Sequence, residues 1–178
     1  MLTENEIQLW NNALENGTPG KILRWCWETF GDDVVLTSSF QGQSVVLLQL
    51  LAQEQLPIPV LFLDTGFHFP ETLQFRDRLT KVWGLNLKIL EPAMGIKAFK
   101  EQEGNLHERD PERCCHINKV APLDKALEGK AAWITGIRRD QSSTREKVRF
   151  VSQLPNGLVK ICPMANWTRE QIADYIRE

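Results

Sequence analysis

Four short stretches carry side chains whose types and spacing could do chemistry. Between two apolar runs, VVLTSSFQGQSVVLLQLL places Ser38, Ser39 and Ser44 in a polar loop with Gly42 near its end. A hydroxyl-rich turn from a buried strand into a helix start gathers backbone N–H groups and the positive end of a helix dipole, which is where anions bind. It is not a Walker A loop, because GxxxxGK[ST] is absent and no lysine stands where it would reach a phosphate. A capped strand-to-helix turn is the plainer reading, since serines favour helix starts. Asp64, Thr65 and Gly66 close the apolar run VLFLDTG, either as a simple turn or as a place where backbone comes close to a ligand. In AWITGIRRDQSSTR, Gly136, Arg138 and Arg139 follow an apolar run. Guanidinium forks suit oxyanions, although paired arginines more commonly sit in solvated loops. Cys114 and Cys115 are adjacent, with Cys26 and Cys162 elsewhere. In a reducing compartment such thiols are metal ligands, redox groups or small buried hydrophobes.

These residues need strands to end beside one another. Residues 4–30 read as helical with a break near Gly17-Thr18-Pro19-Gly20. Strands are predicted over 34–39, 60–66, 85–92, 131–137 and 158–163. Helices are predicted over 44–56, 70–83 and 114–128, the last with Pro122 awkwardly inside it. NWTREQIADYIRE closes the sequence as a helix, with Thr168 as N-cap and Gln171 completing a capping box. Apolar strands alternating with helices predict an α/β fold, doubly wound on a mainly parallel sheet, in one domain spanning 1–178. Ligands bind beyond the carboxyl ends of such strands. The ends at Ser38–Ser44, Asp64–Gly66 and Gly136–Arg139 together describe a site for an anionic nucleotide.

Composition removes other classes. The 178 residues are 42% hydrophobic and 25% charged, with a formal net charge of −2. That balance gives no field for bulk binding of nucleic acid or an anionic membrane. No apolar run approaches the ~20 residues of a membrane span, and MLTENEIQLW lacks the basic start of a signal peptide. A cytoplasmic location is expected.

VLTSSFQGQS, PVLFLDTGFHFPETLQFRDRL, CCHINKVAPLDKAL, AWITGIRRDQSSTR and LVKICPMANWTREQIADYI, in that order, resemble the assimilatory sulfonucleotide reductases. The resemblance covers residues from about 30 onward. It implies an adenine-nucleotide α-hydrolase-like (Rossmann-like) fold with a modified phosphate loop at Ser38–Ser44. It also implies reduction of adenylyl sulfate, or its 3′-phosphorylated form, to sulfite with thioredoxin as electron donor. Ser38, Ser39, Ser44, Asp64, Thr65, Gly66, Lys119, Gly136, Arg138 and Arg139 are the substrate-binding residues expected from this reading, and a homo-oligomer is compatible with it. Family forms carrying an adjacent cysteine pair, plus a later CxxC, hold a [4Fe–4S] cluster and use adenylyl sulfate. Cys114 and Cys115 are thereby expected as two of the four ligands. In those forms the lysine matching Lys119 lies near both cluster and substrate.

The family pattern continues into a CxxC and a mobile tail with a nucleophilic cysteine in a Glu-Cys-Gly-Leu-His-like motif, and neither occurs in these 178 residues. The expectation is a carboxyl-terminally truncated reductase with no catalytic cysteine in this chain and no complete cluster. Two other readings compete. One is an ATP pyrophosphatase on the same fold, against which SSFQGQS lacks the paired glycines and acidic residue of an SGGxDS loop. The other is a nucleotide-binding module without catalysis.

Overall fold

The two most apolar stretches, VVLT and VLFL, form β1 (Val34–Thr37) and β2 (Val60–Leu63) inside a six-stranded sheet. The computed structural model describes residues 1–178. With β3 (Leu87–Leu90), β4 (Ala132–Ile134), β5 (Val151–Gln153) and β6 (Val159–Ile161), the strand order is β3-β2-β1-β4-β6-β5. Every pairing is parallel except β5 with β6. The chain winds outward from β1 to β3, then returns to lay β4 on the other side of β1. That reversal creates a crevice beyond the carboxyl ends of the middle strands.

Helices α1 (Glu4–Leu14) and α2 (Pro19–Phe30) replace the long opening pattern, split where glycine and proline foretold. α3 (Ser44–Gln53) follows β1, and α4 (Pro70–Trp83) crosses from β2 to β3. The carboxyl-terminal helix α9 (Arg169–Arg177) has Thr168 as N-cap with Gln171 completing the capping box, as expected. Leu36, Phe62, Ile134 and Ile161 from the sheet pack with Leu23 and Leu48 from α2 and α3 in the main core. No helix is long and apolar enough to cross a membrane.

Two regions depart from the sequence reading. The predicted helix over 114–128 is α7 (Pro111–Cys115), a π turn (His116–Val120) and α8 (Ala121–Leu127), preceded by α5 (Ile96–Glu103) and α6 (Leu106–Arg109). Pro122 explains the break. It has no N–H to continue the ladder and its ring would collide with the carbonyl four residues back. The turn widens just before it, so proline falls in the first turn of α8, where no donor is needed. The second departure is β5, hidden in the charged run before it and only three residues long. Asn11 of α1 supplies what a further strand would have given. Its amide donates to the Val151 carbonyl at 2.8 Å and its carbonyl accepts from the Val151 N–H at 3.1 Å. The sheet edge is thus closed by a side chain.

Candidate functional site

The loop after β1 is organised by its own hydroxyls. Ser44 Oγ donates to the Gln41 carbonyl at 2.8 Å and accepts from the Gln41 N–H at 3.1 Å. Ser38 Oγ donates to Ser44 Oγ at 3.2 Å, and Ser39 Oγ lies 3.4 Å from it, so the three predicted serines do converge. Phe40 takes a left-handed conformation (φ 54°), which a bulky residue adopts only under tertiary compulsion. Its ring supplies the compulsion, being buried edge-on against Phe62 with centroids 5.8 Å apart. With Gly42 also at positive φ (45°), the backbone curls on itself. The N–H groups of Ser39, Gly42 and Gln43 make no hydrogen bond and precede the first turn of α3. Unpaired amides at a helix start form a nest for an anion.

Beside this loop is a cavity of about 310 Å³, lined on the strands by Thr37, Leu61 and Leu63 and closed by Ser38, Ser39, Gln41, Thr65, His68 and Lys119. A second cavity, about 340 Å³, adjoins it and is lined by Phe67, His107, Pro111, Cys114, Cys115 and Asn118. Thr65 and Lys119 belong to both walls. Lys119 projects from the π turn and makes no salt bridge or hydrogen bond, so an unpaired ammonium stands between the anion loop and the cysteine pair. π turns recur at functional sites, and here the widened turn is the segment from which Lys119 enters. Sequence reasoning had named the lysine but not the device. Thr37, Leu61 and Leu63 were missed altogether, and Gln41, inside the predicted phosphate loop, and His68 were not named as site residues. The last facing residues of β1 and β2 were the available signal.

Other expected contacts are placed differently. Asp64 does not line the cavity: one carboxylate oxygen accepts from the Gly66 N–H at 2.9 Å and the other lies 3.7 Å from Arg76 Nη1, beneath the loop. Gly66 is required by the packing of α5. At φ 74° a side chain is strained, and a Cβ there would overlap Ile96 Cγ2 and lie 3.2 Å from Lys100 Cε. Gly66→Ala should therefore lower stability by about 1–3 kcal/mol through overpacking. Ile96→Ala in the same chain should recover part of the loss, read from the two urea midpoints. Gly136 packs near Leu47 and Met164 and is not in the cavity wall.

The largest correction concerns the arginines. Arg138 is only 2% exposed and its guanidinium is fully committed. Nε donates to Asp140 at 3.0 Å and to the Trp167 carbonyl at 3.2 Å, Nη1 donates to Gln43 Oε1, and Nη2 pairs with Asp140 at 2.9 Å. It clamps the anion loop from behind. Arg139 Nε donates to the Val148 carbonyl at 2.7 Å, and its guanidinium lies over the Phe150 ring. Neither lines the cavity.

The cysteines divide cleanly. Cys26 and Cys162 are buried in the main core, and burial pushes both thiols up in pKa, the latter opposed by a hydrogen bond with Thr135. Cys114 packs with Phe99 and Leu106 in a separate small core, while Cys115 is exposed. A [4Fe–4S] cubane takes four thiolates. The pair presents two, and the other two cysteines are sealed in a different core, so these residues do not fit a complete cluster by themselves.

Residues 33–178 match the family described as phosphoadenosine phosphosulfate reductase domain. An adenosine 5′-phosphosulfate reductase of Streptomyces coelicolor is 43% identical over 168 residues, covering 93% of this chain and 70% of that protein. The chain belongs to the phosphoadenosine phosphosulfate reductase family. Among relatives of this family, a phosphoadenosine 5′-phosphosulfate reductase of Gloeobacter violaceus is 41% identical, covering 92% of this chain and 69% of that protein. A crystal structure of the Candida auris phosphoadenylyl-sulfate reductase, a phosphate complex, superposes with a TM-score of 0.87 at 26% identity, covering 99% of this chain and 87% of that one. An NH3-dependent NAD synthetase from Campylobacter jejuni shares the fold (TM-score 0.58, 13% identity, 94% of this chain and 72% of that one). The family membership agrees with the sequence resemblance, and the mainly parallel sheet is the fold it implied.

Proposed function

We propose that this chain is the nucleotide-binding body of a sulfonucleotide reductase and that its substrate is adenylyl sulfate. The observation that carries the reading is Lys119, which walls both the serine-loop cavity and the crevice of Cys114 and Cys115. The phosphate would rest on the free amides of Ser39, Gly42 and Gln43, with the hydroxyls of Ser38 and Ser39 beside it and Ser44 holding the loop closed. Thr65 would border the nucleotide, with Asp64 and Gly66 shaping its loop. Lys119 would then meet the sulfate end. One cation lines the cavity, whereas a 3′-phosphate would add up to about two further negative charges. That balance and the cysteine pair favour adenylyl sulfate over its 3′-phosphorylated form.

The chemistry asked of these residues is positioning and charge stabilisation. In the reaction of the family resemblance, a cysteine thiolate attacks the nucleotide sulfur. The sulfur–oxygen bond breaks, its electron pair leaves on the AMP phosphate, and a protein thiosulfonate remains. A thioredoxin thiolate then attacks the cysteine sulfur and releases sulfite, and its second thiol resolves the mixed disulfide. Lys119 would offset the charge gathering on the departing phosphate oxygen. Cys26 and Cys162 are too deeply buried to be the attacking thiol, and Cys114 and Cys115 would serve as two ligands of an iron–sulfur site. A cytoplasmic setting follows from the thiol chemistry, and a homo-oligomer is compatible with it.

Protection mapping tests the placement. With AMP or adenylyl sulfate bound, amine acylation of Lys119 should slow several-fold while that of Lys125, exposed on α8, is unchanged. Equal labelling of Lys119 with and without saturating nucleotide would remove it from the site.

A further inference from the structure

His68 lies in the loop after β2, and its ring borders the cavity between the apolar strand wall and Thr65. Its Nε2 is 2.9 Å from the Leu63 carbonyl. A carbonyl only accepts, so Nε2 carries the proton. The ring also rests on Phe62, with centroids 4.9 Å apart, and is thereby held from two sides. In neutral imidazole the second nitrogen is then an acceptor. Nδ1 makes no hydrogen bond and is not among the buried unpaired atoms, so it remains reachable from outside the protein.

The cavity has two unlike sides. The loop after β1 contributes serine hydroxyls and free amides, and Leu61 and Leu63 of β2 contribute an apolar wall. An adenine nucleotide placed phosphate-first on the loop lays its base against that wall. Most polar side chains there are already engaged. Thr37 Oγ1 accepts from Trp133 Nε1 at 2.9 Å, Thr65 Oγ1 accepts from the Phe67 N–H, and Ser38 is spent on Ser44. His68 Nδ1 is the fixed, uncommitted acceptor beside Leu63.

We infer that His68 is a specificity residue that recognises the base, its Nδ1 accepting a hydrogen bond from the exocyclic amine of adenine. The inference rests on the nucleotide reading above and adds the residue that tells a 6-aminopurine from a 6-oxopurine. A carbonyl at that position would set acceptor against acceptor, leaving a buried polar atom unpaired, and such sites discriminate strongly.

Two substitutions separate recognition from support. His68→Gln can keep a donor on the Leu63 carbonyl and loses the acceptor at the Nδ1 position. His68→Asn keeps an acceptor there and loses the bond to Leu63. Calorimetric titration of each with AMP and IMP reads the outcome, with circular dichroism confirming the fold. The unsubstituted chain should prefer AMP by about tenfold or more. His68→Gln should bring that ratio close to one, and His68→Asn should weaken both nucleotides while retaining a preference. The opposite pattern, with the Gln variant unchanged and the Asn variant weaker for both alike, would make His68 a support and overturn the inference. Equal affinity of the unsubstituted chain for AMP and IMP would overturn it without any variant. Failure of that chain to bind AMP at all would instead defeat the underlying nucleotide reading.

Discussion

Lys119→Ala should raise the dissociation constant for adenylyl sulfate about 10- to 100-fold, the equivalent of losing one charge-assisted hydrogen bond of about 1.5–3 kcal/mol. The lysine is exposed and unpaired in the structure, so its removal leaves no buried charge behind and stability should scarcely change. Lys125→Ala, on α8 and away from both cavities, should leave affinity within twofold, because an isolated surface lysine contributes about 0–1 kcal/mol. Calorimetry on the three chains makes the comparison. If Lys119→Ala and Lys125→Ala bind alike, the ammonium between the two cavities has no part in the site.

Arg138→Ala should act in the opposite manner, through the fold first. The guanidinium ties Gln43, at the start of α3, to Asp140 and to the carbonyl of Trp167, near the start of α9. Cutting a buried charge out of such a network costs about 3–5 kcal/mol. At roughly 2–4 °C per kcal/mol for a chain of this size, the melting temperature should fall by about 6–20 °C. Arg138→Met fills the space without the charge, and Asp140 retains partial access to water, so most of the stability should return. Nucleotide affinity should not return, since Gln43 is still released from behind the anion loop. A methionine variant with both stability and full affinity would show that the clamp does not shape the loop.

How far these features were legible depends on the range over which each is determined. The serine loop was readable because its signal is local: apolar strand, hydroxyls, Gly42, helix start. Thr168 and Gln171 were readable for the same reason. Arg138 looked like an anion ligand because it follows a strand beside another arginine. Its actual partners include Gln43 and Trp167, 95 and 29 residues away, which no spacing rule connects. Gly66 was singled out for close approach to a ligand, whereas the crowding seen there comes from α5, which had no predicted boundaries. Asp64 was also singled out, and burial of Arg76 against Phe62 turns its carboxylate beneath the loop, away from the cavity. The π turn emerged from a proline that had seemed only an anomaly in a helix. β5 was missed because three residues carry too short an alternation to register, and its pairing with Asn11 is made by an element at the other end of the chain.

Titration of the chain with adenylyl sulfate, 3′-phosphoadenylyl sulfate, AMP and ATP, followed by assay of the ATP sample for pyrophosphate, tests the central claim most directly. Adenylyl sulfate and AMP should each bind at one site per chain, the 3′-phosphorylated nucleotide should bind more weakly, and ATP should remain intact. Release of pyrophosphate from ATP, or no binding of either adenylyl sulfate or AMP, would contradict the account.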